Sequence, residues 1–340
     1  MYAKMVSVSL HTSPIFIISK GGISGGRQDH CFISGRSFHM YEDFEITLNR
    51  GFKTWTRNLN ICIPFILNFF VSLILYFFFF GLMGFLFFAS NTGSVVDLST
   101  LPPAELYNMI WTGVRDNMAV SVLAIIVFSL LGMFLQAFFT AGAIGMAKKA
   151  SETGDTVLSD MVKSGSKNAF RLFLTNLLVT VMLLAGIVFI VPGALTIGDL
   201  SGLIQNPEAS VESMGTLAIG ILVWGIYIIV VNIVLSLAPY ALVIDELDPL
   251  GALKTGYRFF MRNKLDVFLI WIIVIGLAFV NSIVGEYLGS QNTLVLGITY
   301  IVPLLVLQPL TAVLWTRLYL AGEGRDLYNH YDLLSNLDGF

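Results

Sequence analysis

Six apolar stretches decide what this chain can become. They cover about 61–88, 118–147, 172–195, 215–244, 265–285 and 294–321, and each reaches or exceeds the roughly 20 residues that cross a bilayer as a helix. The first runs from Ile61 to Phe88 without a charge, and tilt absorbs its excess length. In hydrocarbon the backbone must satisfy its own hydrogen bonds, which makes each stretch a helix. Composition agrees: 56% of the residues are apolar and 12% charged, so the 340 residues do not read as a soluble pair of domains. The net charge of −3 carries little meaning beside its distribution.

A short basic pattern stands before the first, third and fifth stretches. It reads Gly51-Phe-Lys53-Thr-Trp55-Thr-Arg57, then Gly165-Ser-Lys167-Asn-Ala-Phe170-Arg171, then Gly256-Tyr-Arg258-Phe-Phe260-Met-Arg262. A base and an Arg four residues later lie about 40° apart around a helix, so each copy presents one basic edge. The returning stretches also match, around Leu135-Gln136, Leu235-Ser236 and Leu307-Gln308. The expected fold is therefore an all-α membrane protein: six transmembrane helices as three parallel two-helix repeats, each preceded by a cytoplasmic amphipathic basic helix. The repeats cover about 40–147, 148–244 and 245–322 within a membrane domain at 40–322. All three start on one face, so their axis lies along the membrane normal, unlike inverted repeats.

The flanks differ from this domain. Residues 1–39 are rich in Gly, Ser and His without periodicity, and are expected to be a disordered arm. Translation from Met40 would leave that arm out. Residues 323–340 form a polar cytoplasmic tail with enough Leu and Tyr to dock as a short helix. Of the 19 Lys and Arg residues, all but Arg115 fall on the side of the basic patterns or at the end of the last span. The positive-inside rule then places both termini in the cytoplasm of a multi-pass cell-membrane protein. The outer loops fall near 89–117, 199–213 and 286–293.

The Gly-x-Arg-Phe-Phe-x-Arg-Asn segment at 256–263, with Ala238-Pro239 and Asp245-Glu246 just before it, resembles membrane families of uncharacterised role. These are related to the membrane domain of glycerophosphoryl diester phosphodiesterase, and include YciC-like proteins. The resemblance covers about 40–322 and implies a membrane location and lipid association. In such phosphodiesterases the catalysis belongs to a separate soluble domain, which nothing here resembles. Mitochondrial carriers share a three-by-two layout, but their Pro-x-acid-x-x-base motif is missing from the odd helices.

No chemistry of an enzyme is legible. Cys31 and Cys62 have no metal-ligand spacing, and His11, His30, His39 and His330 all lie in the flanks. No Ser-His pairing suits a nucleophile. The expectation is a non-enzyme with no cofactor, no metal and no nucleic-acid partner, working with membrane lipids and with a protein partner or a separate soluble domain. Two readings of the basic helices stand side by side. They anchor the protein at the interface, or Lys53, Arg57, Lys167, Arg171, Arg258 and Arg262 grip phosphates of anionic lipid. Each span also carries an amide: Asn68, Gln136, Asn176, Asn232, Asn281 and Gln308. Gln136, Asn232, Ser236 and Gln308 are expected to form a polar layer inside the bundle. They serve there as interhelical glue, or line the cavity of a permease for a neutral or amphipathic solute. Asp266 is the exception among otherwise uncharged interiors, and reads as a helix-start acid at the inner end of span five.

Overall fold

The computed structural model describes residues 44–89, 111–113, 115–197, 211–289 and 292–328, all within the unit His39–Phe340. Among the described residues the regular elements are helices, and none is a strand. Six helical stretches are long and apolar enough to cross a membrane: Leu59–Leu86, Met118–Thr153, Leu158–Phe189, Met214–Asp245, Lys264–Tyr287 and Thr293–Gly322. They are spans one to six below. The arm at 1–39, most of the loops at 89–117 and 199–213, and the tail beyond 328 lie outside the described residues.

Large apolar side chains point outward along these spans. Phe77, Phe80, Ile219, Leu222, Phe279 and Val280 are all exposed, a surface that suits hydrocarbon and not water. The buried core is gathered at one end, where spans two, four and six finish. Ile144, Leu172, Leu242, Phe259, Leu318 and Tyr319 belong to a single cluster there, with the Phe259 and Tyr319 rings stacked at 5.2 Å between centroids. The basic patterns meet at this same end, called the basic face here.

The first basic segment is a separate helix, α1 (Phe44–Arg57), joined by a 3-10 turn (Leu59–Cys62) to α2 (Ile63–Ala89). Span two is α3 (Met118–Thr153), closed by Gly154 in the left-handed conformation at φ 84°. The second basic segment departs from expectation. It is no separate helix but the opening of α4 (Leu158–Ala185), which continues unbroken into span three. The reason lies in one residue. The first and third patterns end Arg57-Asn58 and Arg262-Asn263, whereas the second ends Arg171-Leu172. Asn58 and Asn263 leave the helical region at φ −120°, ψ 61° and φ −123°, ψ 44°. Each turns its amide back on its own helix, onto Thr54 O at 3.0 Å and Phe259 O at 3.3 Å. Asn competes with the helix in this way, and Leu does not.

Span three ends through a 3-10 turn (Gly186–Phe189) and α5 (Val191–Ile197). Span four is bent into α6 (Val211–Leu235) and α7 (Ala238–Asp245), with Pro239 in the first turn of α7. Proline there denies the ladder one donor and crowds the carbonyl four residues back. Asp248 caps α8 (Pro249–Arg262) by accepting from Gly251 N at 3.2 Å, and Pro249 fits the first helical position, where its missing N–H costs nothing. Span five is α9 (Lys264–Tyr287) with Asp266 in its first turn. Span six consists of α10 (Thr293–Val302), a π turn (Pro303–Leu307) and α11 (Gln308–Gly322).

The glycine of each basic pattern sits where two helices touch. A Cβ on Gly165 would come within 2.9 Å of the Phe138 carbonyl oxygen on span two. On Gly256 it would come within 2.8 Å of the Ala238 backbone nitrogen on span four. On Gly51 it would meet the Leu314 side-chain tip on span six at 2.6 Å. Backbone cannot yield and a leucine tip can. Gly256→Ala and Gly165→Ala should therefore each lower stability by about 1–3 kcal/mol, the usual range for overpacking, while Gly51→Ala stays near neutral. Thermal unfolding of the three variants in one detergent checks this ranking.

Candidate functional site

Four pieces of chain assemble the basic face. Asn58, at the break after α1, donates its amide to Gly154 O at 3.2 Å, and Asn60 donates to Thr156 O at 3.4 Å. Residues 325–328 form a non-helical strap, and the rest of the tail, where a short helix is expected, lies outside the described residues. The Tyr328 amide donates to Ser151 O at 2.8 Å, and its ring packs so tightly on Gly154 that a Cβ there would lie 2.7 Å from it. Arg325 ties the strap down by ion pairs to Asp245 and, at 3.9 Å, to Glu152. The Tyr319 hydroxyl donates to the other Asp245 oxygen at 2.5 Å. Spans two, four and six are thus held together through one carboxylate and one guanidinium.

A cleft of about 240 Å³ opens between α1, the end of α3, α11 and the strap. Arg50, Lys53, Arg57 and Arg317 all line it, with Asn49, Thr54 and Tyr328 as neutral polar neighbours. Arg50, Lys53 and Arg57 share one edge of α1 because three- and four-residue steps repeat a helix face. Arg317 comes from span six and is only 1% exposed. Its guanidinium donates to Thr54 Oγ1 at 3.1 Å, and that hydroxyl donates in turn to Arg50 O at 2.8 Å. Arg57 donates to the Tyr328 hydroxyl at 3.1 Å and stands 5.2 Å from its ring centroid. Four cations thus line one cleft, and one of them, Arg317, is withdrawn from water.

The other two basic patterns are engaged differently. Lys167 pairs with Glu246 at 2.5 Å, and Arg171 donates to Glu246 O at 2.9 Å. Lys148 donates to Ile244 O at 3.0 Å. These three cations therefore cap the end of α7, where free carbonyls and the negative end of the helix dipole attract them. Glu246 itself takes a left-handed φ of 57°. Its carboxyl is held below the ordinary value by the hydrogen bond and charge of Lys167, with Lys148 and Arg171 adding to it. Arg262 pairs with Glu323 and lies 5.9 Å from the Phe259 ring centroid. Arg258 is exposed on α8. Of the six bases named from sequence, only Lys53 and Arg57 share a cleft. Arg50 was legible as a third member of the same helix edge. Arg317 gave no signal beyond being a lone cation near the end of an apolar stretch.

The expected polar layer is half assembled. Gln136 and Gln308 line one cavity of about 560 Å³, together with Asn68 and Asn281. Asn232 does not turn inward. It is exposed, and its amide donates to Ile228 O of its own helix at 2.8 Å. Ser236 likewise bonds Ile233 O at 2.9 Å. The bend between α6 and α7 is the physical reason, since it rotates the residues before it away from the register of the unbent span two.

A family model described as a domain of unknown function, DUF7847, matches residues 57–321. The match is to an uncharacterised family and carries no link to the phosphodiesterase membrane domain. No curated protein and no solved structure matches.

The depressed carboxyl of Glu246 gives a pH signature. A group whose pKa is lowered by folding adds stability above its unfolded value, here 4.5, and that contribution is lost as pH falls through the folded value. The melting temperature of the natural protein should exceed that of Glu246→Gln by a small, constant margin well above pH 4.5. The margin should close on acidification below it. Because the pair is half exposed, added salt should shrink the margin at neutral pH.

Proposed function

The chain belongs to the DUF7847 family, which assigns it no activity, and from its geometry we propose that it is a non-enzymatic multi-pass membrane protein that holds the phosphate of an anionic lipid at its basic face. The observation that carries this reading is the cleft lined by Arg50, Lys53, Arg57 and Arg317. An arginine presents a planar fork that takes two phosphate oxygens at once, and a lysine adds a point charge. A lipid source is favoured over a soluble one by what surrounds α1. Phe52 and Leu59 are exposed beside the cleft, and Phe52 packs on Trp55 at 5.4 Å between centroids. Aromatic and apolar residues next to bases place a helix at headgroup depth.

In this reading the chain is three parallel two-helix repeats. Support comes from the order of the close approaches. The glycine of the second pattern packs on the returning span of the first repeat, that of the third on the second, and that of the first on the third. Contacts that step round in this order belong to a ring about a pseudo-threefold axis. The basic face is cytoplasmic, as the positive-inside rule requires, and a protein partner would meet the protein there. Transport of a neutral or amphipathic solute is the second reading. The cavity shared by Gln136 and Gln308 favours it.

Sidedness is tested with single cysteines at two exposed described positions, Ser159 at the basic face and Glu286 at the far one. In intact cells an impermeant thiol reagent should label Glu286→Cys and spare Ser159→Cys, and the reverse pattern would place the basic face outside.

Lipid retention is tested by native mass spectrometry of protein taken from nanodiscs containing phosphatidylglycerol. Near a surface each base is worth about 1 kcal/mol toward anionic lipid. Replacing Arg50, Lys53 and Arg57 together with Gln should therefore weaken retention on the order of 100-fold. Replacing Arg171 and Arg262, which lie outside the cleft, with Gln should weaken it far less. Equal retention by the natural protein and the folded α1 triple variant would leave α1 as an anchor only.

A further inference from the structure

Three of the four amides that line the membrane cavity have side-chain oxygens without a partner among the described residues. Asn68 Oδ1 is buried and accepts no hydrogen bond. The exposed Gln136 and Gln308 side chains face the same cavity, and neither bonds to any described residue. Asn281, on its wall, already donates to Thr299 O at 3.1 Å. Counting from the basic end at 1.5 Å per residue, Asn68 lies about 14 Å and Gln308 about 21 Å along their spans, in the middle of a ~30 Å hydrocarbon layer. A primary amide at that depth is costly unless something supplies its hydrogen bonds. Most amides in membrane helices find a neighbouring helix; Gln136 and Gln308 open onto the cavity instead, and the Asn68 oxygen is buried in its wall.

The local backbone is built around that space. The π turn at Pro303–Leu307 interrupts span six, and both Pro303 and Leu307 contribute to the cavity wall. Single π turns inside α-helices recur at functional sites, because they displace the following residues from the regular helix face. The residue displaced here is Gln308. Cys62 donates its thiol to Leu305 O at 3.1 Å, which satisfies a carbonyl of the interrupted segment.

A second cavity of about 470 Å³ shares Asn68 and Gln136 with the first. It continues along the seam of spans one and two, past Leu75, Phe79 and Phe128, away from the basic face. Neither wall contains an Asp, Glu, Lys, Arg or His. The amides offer both donors and acceptors, and the seam beyond them sets the apolar Leu75, Phe79, Ile125 and Phe128 beside the hydroxyls of Ser72, Tyr76 and Ser129.

We propose that these joined cavities bind an uncharged amphipathic lipid. Its hydroxyl- or ester-bearing head meets Asn68, Gln136 and Gln308, and its hydrocarbon tail lies between spans one and two. The uncharged wall argues against an anion here, since a charged head at this depth would need a counter-charge. The site is therefore distinct in ligand and in depth from the cleft at the basic face, and it does not rest on anion binding there.

The test uses the full chain in phosphatidylcholine nanodiscs with a monoacylglycerol carrying a diazirine in its acyl tail. After irradiation, peptide mass spectrometry should place adducts on the peptides bearing Phe79 and Phe128. Excess monooleoylglycerol should remove them. The double variant Gln136→Leu/Gln308→Leu should label about tenfold less while melting no lower than the natural protein, because apolar replacements suit hydrocarbon. Undiminished labelling of the folded double variant would overturn the proposal, as would adducts spread over the outer faces of the spans without competition. Should the double variant not fold, Asn68→Leu alone gives the same reading by the same criteria. Loss of phosphatidylglycerol retention with this labelling intact would remove the function proposed above and keep this site.

Discussion

Everything at the basic face depends on helices coming closer than side chains ordinarily allow. Gly165 and Gly256 bring their helices to within van der Waals contact of the backbone of spans two and four. Between helices in a bilayer there is little hydrophobic driving force, because lipid tails are as apolar as the side chains they would replace. Tight packing and hydrogen bonds must hold the spans together instead. The buried core is concentrated at this end for that reason, while Phe77, Phe80 and Phe279 face outward. Asp245 completes the same junction, receiving Tyr319 and Arg325 on its two oxygens. A partly buried carboxylate with a charged partner and a hydroxyl has its capacity largely met.

Three similar basic patterns have been put to three uses. In the second, Lys167 and Arg171 are drawn to the end of α7 and to Glu246. In the third, Arg262 is drawn to Glu323 at the root of the strap. In the first, α1 faces the cleft with Arg50, Lys53 and Arg57 and meets a fourth cation, Arg317, from beneath. Glu246 and Glu323 are single residues at the ends of spans four and six, and they stand opposite the second and third patterns.

The number of spans, their approximate limits and the single face that gathers the bases were legible in the sequence, because hydrocarbon imposes length and charge rules that few residues escape. So was the start of α8, through Asp248-Pro249. The continuity of α4 was legible too, had the residue after each pattern's Arg been compared: Asn58 and Asn263 break a helix and Leu172 does not. The position of Asn232 was not. Its place relative to Gln136 depends on the bend at Pro239, which changes register by an amount that spacing alone cannot supply. Arg317 was hidden for a different reason. Near the end of an apolar stretch a cation ordinarily extends to the interface, and its burial depends on α1 lying over it, a contact between residues 263 positions apart.

Polarity in this bundle is therefore layered by depth, and each layer has its own kind of partner. At the basic face the cations meet carboxylates, carbonyls and hydroxyls. In mid-membrane there is no charge to meet, and the polar groups are neutral amides. Some, such as Asn232, are satisfied by their own helix, and Asn281 is satisfied by span six. If packing were the whole purpose of Asn68, Gln136 and Gln308, the same solution was open to them, since a carbonyl lies within one turn of every helical residue. They face a common space beside a π turn that widens span six instead. Leaving amides open in hydrocarbon has a cost that a merely structural role does not require, and a bound neutral head would offset it.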